Sequence, residues 1–166
     1  MVWSTSLDSS WCRWGLNEED RLYSCFASRR WSHLVAAGWP YPDVPSLLAA
    51  AERAWDELEP SDWAEALHGH PRIGERGGSS PAASEDEQRG VLGVDAGVRE
   101  ELAEGNRRYE SRFGHVFLIA AAGKGPDEIL AALRRRMGND PVTEAREAAA
   151  EHRKIARMRL ERMMGG

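Results

Sequence analysis

The chain has 166 residues, 42% of them apolar and 30% charged, which is the balance of one folded domain with a sizeable core. Its 22 basic side chains are outweighed by 27 acidic ones, and a formal charge of −5 argues against a nucleic-acid or anionic-membrane surface. No run of about 18 apolar residues offers a transmembrane span. The opening MVWSTSLDSSWCRWG lacks the basic-then-apolar order of a signal peptide. Cys12 and Cys25 are too few for a disulfide framework, so the expected compartment is a reducing cytoplasm.

In chain order the punctuation is helical. Residues 1–14 are expected to be a disordered extension, and 15–166 a single domain. Asn17 precedes Glu18, Glu19 and Asp20, an N-cap followed by acids at the positive end of a helix dipole. Ser46 is the expected cap of LLAAAERAWDEL, which runs to Pro60, and Ser61 the cap of DWAEALHGH. The segment opening near Asp95 places Val98, Leu102, Tyr109 and Phe113 on one stripe, with Gly114 as its stop. Pro126 stands where a first-turn proline belongs, ahead of Ile129, Leu130, Leu133 and Met137. Pro141 opens the last and longest helix, predicted to run to about Met163. Val116 to Ile119 is the only strand-like run, and a solitary strand has nothing to pair with. The reading is all-α, with about seven or eight helices.

Three places carry possible chemistry. In HGHPRIGE, a glycine and a proline fix the backbone around His70 at a helix end, a common setting for a general acid or base. Two other readings stand beside it: His68 and His70 satisfy helix C-terminal carbonyls, or His-x-His ligates zinc. In SEDEQ, Ser84 and Glu87 have the spacing of a capping box, which also points Glu87 and Gln88 over a first helical turn. In the last helix, at about 100° per residue, Ala145, Ala148, His152, Ile155, Ala156 and Met163 share one face with Arg159 at its centre. An arginine there needs a carboxylate, from the protein or from a ligand. His152 reads as a packed core histidine. Arg153, Lys154 and Arg157 fall toward solvent, and Arg134 to Arg136 reads as a solvated face.

The ordered set HPRIGE, SEDEQ, NRRYESRFGHVFLIAAAGK, EILAALRRRMGND and EAREAAAEHRKIARMRL resembles the OHCU decarboxylases of purine catabolism. OHCU is 2-oxo-4-hydroxy-4-carboxy-5-ureidoimidazoline, an intermediate between urate and allantoin. The resemblance runs from about Trp31 to Met163. It implies an all-helical homodimer that decarboxylates OHCU to (S)-allantoin with no metal or organic cofactor. It also implies catalytic roles for His70, Glu87 and Arg159. Pro71, Ser84, Gln88 and the segment Phe117, Leu118, Ile119, Ala120 and Ala121 would contact substrate. A metal-dependent ureide hydrolase built on His68 and His70, and a non-enzymatic helical interaction module, are the competing expectations.

Overall fold

The structure is a computed structural model that describes residues 17–73, 89 and 95–165. The expectations for residues 1–14 and for Ser84, Glu87 and Gln88 lie outside the described residues. Within them the chain is all-α, with seven helices and no strand. These are α1 (Glu18–Phe26), α2 (Arg29–Ala36), α3 (Val44–Asp56), α4 (Pro60–His68), α5 (Ala96–Phe113), α6 (Pro126–Arg136) and α7 (Pro141–Gly165).

Local chemistry sets most of these boundaries. Asn17 caps α1 by accepting from the Asp20 amide at 2.8 Å, and Asp95 caps α5 through the amides of Gly97 and Val98. Gly114 ends α5 at φ 77°, a conformation that suits a residue without Cβ. Two expected caps are displaced. Asp43, not Ser46, caps α3, and α4 begins at Pro60 and not after Ser61. Proline lacks the amide that a first helical turn leaves unpaired anyway, so Pro60 starts a helix where it was expected to stop one. The Glu59 amide then donates to Asp62 Oδ2 at 2.9 Å, closing the start of that turn.

Two cores result. The first is aromatic: Phe26, Trp31 and Trp55 pack with Leu22, Val35 and Leu47 from α1 to α3, and Ala156 and Leu160 of α7 complete it. Trp31 and Trp55 stack with centroids 5.6 Å apart, and the Trp31 indole donates to the Ala51 carbonyl. The second core joins Leu102 and Tyr109 of α5 to Ile129, Leu130 and Leu133 of α6. Between them runs the irregular segment 116–121, which contains the strand-like Val116 to Ile119 of the sequence. It pairs with no strand but keeps the period of two, since Phe117, Ile119 and Ala121 enter the second core while Leu118 and Ala120 meet Ile155 of α7.

That segment is pinned from both sides. Arg136 Nη1 donates to the Leu118 carbonyl at 2.7 Å, the Ala120 amide donates to Glu151, and Lys124 Nζ donates to the Ala120 carbonyl. Arg136 therefore does not belong to a solvated face. It is buried, paired with buried Glu144 through Nε and Nη2, and Tyr109 donates to the same carboxylate. The inward face of α7 correspondingly starts at Glu144, and Ala145 is exposed. Arg153 and Arg157 are also not freely solvated: they lie half-covered against α3, Arg157 bonding to Glu52 and Arg153 lying over the rings of Trp55 and Trp63.

Candidate active site

The end of α4 and the middle of α7 meet at the edge of the aromatic core. α4 closes at Gly69, whose right-handed φ of −73° turns the chain so that His70 points inward. His70 is only 7% exposed, whereas His68, two residues earlier, is exposed and donates Nδ1–H to the Ala64 carbonyl of its own helix. One of the two histidines thus satisfies its helix, and the other enters the interior. Among the described residues no group of three or more His, Cys, Asp or Glu is placed to hold a metal ion. Pro71 follows as a half-buried residue, and the Asn106 side chain fixes the next turn by donating to the Ile73 carbonyl at 3.0 Å.

His70 Nε2 meets His152 Nε2 at 2.6 Å, a hydrogen bond between residues 82 apart in sequence. His152 is fully buried, with its ring stacked on Phe26 at 4.3 Å between centroids. The sequence placed His152 inside but gave no sign of this partner, since no local spacing encodes a contact between α4 and α7.

Arg159 lies on the same face of α7, about two turns beyond His152, and is 5% exposed. It donates from Nη1 to the Ser24 carbonyl at the end of α1, at 3.2 Å. The helical phase read from the sequence is therefore right for Arg159. Its charge reaches the histidines. Burial, and then the Arg159 guanidinium, push the pKa of His70 down to about 3. His152 is driven well below the usual histidine value by burial, with His70 and Arg159 adding to the effect. Both rings are neutral at pH 7.

The segment Phe117 to Ala121 lies beside this pair. Leu118 and Ala120 pack on Ile155, one turn from His152, together with Leu67 and Met158, the neighbours of His68 and Arg159. Its peptide groups are not all free to meet a ligand, because those of Leu118, Ala120 and Ala121 are partly engaged as donors or acceptors within the protein. Among the described residues the peptide groups of Phe117 and Ile119 have no such partner. A buried histidine and a buried arginine thus lie along α7, near a peptide edge that the protein itself engages only in part.

Comparison with known proteins gives the family. A model of the family described as OHCU decarboxylase matches residues 17–161. The chain belongs to the OHCU decarboxylase family. It is 29% identical over 153 residues to the uric acid degradation bifunctional protein TTL of Arabidopsis thaliana, covering 87% of this chain and 47% of that protein. The chain thus spans about half the length of that bifunctional relative. It is 32% identical over 132 residues to the 2-oxo-4-hydroxy-4-carboxy-5-ureidoimidazoline decarboxylase of Amia calva, covering 76% of this chain and 75% of the relative. A crystal structure of an OHCU decarboxylase in the presence of (S)-allantoin superposes with a TM-score of 0.79 at 28% identity. That match covers 89% of this chain and 99% of the other. The all-helical family fold is therefore shared along nearly all of the described chain.

Proposed function

We propose that this chain decarboxylates OHCU to (S)-allantoin, with His70, Glu87 and Arg159 as its catalytic residues and no metal or organic cofactor. The observation that carries the reading is the burial of His70 and Arg159 together at the meeting of α4 and α7 in a chain of this family. Cytoplasmic location and a homodimeric state belong to the same proposal. Among the described residues no helix is long and apolar enough to cross a membrane.

The chemistry suits these groups. The bond between C4 and its carboxylate breaks, CO2 leaves, and the electron pair forms a C4–C5 double bond as the adjacent imine nitrogen takes a proton. A proton then adds to one face of C5 while the C4 hydroxyl loses its own and becomes the carbonyl of allantoin. The ring is its own electron sink. What the protein must supply is orientation, a dry setting for the carboxylate, and a proton on one face. Arg159 would hold the carboxylate or a ring carbonyl through its planar fork. His70 would engage the C4 hydroxyl and act as the proton donor. Burial and the Arg159 charge are what depress its pKa. A carboxylate bound beside Arg159 offsets the charge that disfavours imidazolium and so raises the pKa toward the working range. Glu87 would orient His70 or accept from the ureido N–H groups. Ser84 and Gln88 beside it, Pro71 after His70, and the Phe117 to Ala121 peptides would line the rest of the substrate.

Freshly generated OHCU, followed by circular dichroism, tests the proposal, because spontaneous decay gives racemic allantoin and the enzyme one hand. Single-signed ellipticity is expected from the wild-type chain, with a fall of about 100-fold or more in His70→Asn. Racemic product from a folded wild-type protein would refute it.

A further inference from the structure

His152 is used by nothing in the mechanism above, yet it makes the one described side-chain hydrogen bond to His70. Its ring is fully buried, clamped on Phe26 at 4.3 Å, and its Nδ1 has no hydrogen-bond partner among the described residues. Those facts restrict where the protons sit. Two nitrogens 2.6 Å apart share one proton, so one Nε2 donates and the other accepts. Each neutral ring carries a single N–H. If His70 Nε2 were the donor, His152 would have to carry its own proton on Nδ1, where a buried N–H would meet no acceptor. If His152 Nε2 is the donor, Nδ1 of His152 is a bare nitrogen in an apolar wall. Buried orphan N–H groups are the rarer and costlier of the two defects.

We propose that His152 donates Nε2–H to His70 Nε2 and so holds His70 in the tautomer whose proton is on Nδ1, available to a substrate oxygen. His152 is on this view a positioning residue that touches His70 and not the substrate. Burial and the nearby Arg159 keep His70 neutral in the free protein. The fixed tautomer gives that neutral ring a hydrogen-bond donor on its free nitrogen, and a proton taken up with substrate would add at His70 Nε2 as the His152 proton moves to Nδ1. The bond also sets the ring plane, because the His70 and His152 rings meet edge to face at 86°. The part of the inference that concerns substrate rests on the decarboxylase reading, whereas the tautomer assignment does not.

Nitrogen-15 spectra of the histidine rings in the wild-type protein test the assignment directly, with His70→Asn and His152→Met spectra identifying the two residues. The expected pattern is two neutral rings, His70 protonated on Nδ1 and bare on Nε2, His152 the reverse. The opposite pattern, or fast exchange between both tautomers of His70, would overturn it. Turnover supplies the second arm. His152→Gln keeps an N–H donor near the same place and should retain kcat within about threefold. His152→Met fills the space without a donor and should lower kcat about tenfold while KM moves less than about twofold, the loss of one positioning hydrogen bond. A folded His152→Met variant with wild-type kcat would overturn the positioning role. Racemic allantoin from the wild-type protein, together with the expected nitrogen pattern, would sink the decarboxylase reading and uphold the tautomer assignment.

Discussion

Replacing Arg136 by Met removes the guanidinium that ties three elements together, and its cost can be worked from the contacts. Arg136 and Glu144 are 1% and 0% exposed at their side chains. The guanidinium gives Glu144 Oε1 bonds of 2.9 Å from Nε and 2.5 Å from Nη2, gives the Leu118 carbonyl one of 2.7 Å, and lies 4.7 Å from the Phe117 ring centroid. Met fills much of the same volume but leaves the Glu144 carboxylate buried, with only Tyr109 and Asn139 among the described residues to donate to it. Breaking one side of a buried pair costs about 3–5 kcal/mol. In a domain of this size each kcal/mol lowers the melting temperature by about 2–4 °C, so the expected fall is about 6–20 °C. Adding Glu144→Gln removes the stranded charge, and the double variant should recover about 0.5–3 kcal/mol relative to the sum of the singles. Thermal melts followed by far-ultraviolet circular dichroism measure all three. An Arg136→Met protein melting within about 2 °C of wild type, or strict additivity of the two substitutions, would show that the pair carries no such coupling.

Acid should weaken the fold earlier than its carboxylates alone require. The pKa of His70 falls from about 6.5 in the unfolded chain to about 3 in the folded one, so the unfolded state binds the proton first. Stability is then full above pH 6.5 and declines as pH falls toward 3, by about 2 kcal/mol at pH 5 from His70 alone, with His152 adding in the same direction. Urea denaturation at pH 7 and pH 5 would contradict this if the two midpoints coincide, and His70→Gln should flatten the difference. Arg159→Lys keeps the charge but not the fork, so it should fold and bind a carboxylate analogue more weakly by about 1.5–3 kcal/mol. Calorimetric titration decides that, and normal affinity in the variant would remove the guanidinium from the site. Arg157→Ala loses only a 43%-exposed partner of Glu52 and should cost about 1 kcal/mol or less in stability, with binding unchanged. Equal binding losses at positions 157 and 159 would invalidate the placement of the site on the inner face of α7.

Much of the fold was legible because its boundaries are set by local chemistry. Asn17, Asp95, Gly114, Pro126 and Pro141 each act within one turn of where they stand. The errors came where two local signals competed. Pro60 can end one helix or begin another, and only the packing of α4 against its neighbours decides. The run Arg134 to Arg136 looked like one polar face, yet helical phase separates its members. Arg136 falls three residues after Leu133 and seven after Ile129, on the buried side of α6, while Arg134 and Arg135 pair with Glu101 and Glu147 at the surface. The same phase argument found Arg159. Applied to Glu144, Ala148 and His152, spaced by four, it would have started the inner face of α7 at the acid and not at Ala145.

Of the candidate site, the burial of Arg159 was legible in the sequence, but the constellation around it was not. His70 announced itself by its place between a helix end and a proline, and Arg159 by its phase. Their shared burial, and the link from His70 to His152, depend on α4 closing onto α7 across the aromatic core, a pairing no local pattern encodes. That closure has a thermodynamic consequence. Holding two neutral histidines and an arginine in the interior destabilises the protein in acid, since each ring forgoes a proton that it would bind when unfolded. The same deficit is what the proposed carboxylate ligand would relieve. A negative charge bound beside Arg159, as proposed, would raise the proton affinity of His70, so ligand binding and proton uptake would favour one another. The acid lability of the free fold and the proposed affinity for an anionic substrate are therefore two readings of one buried arrangement.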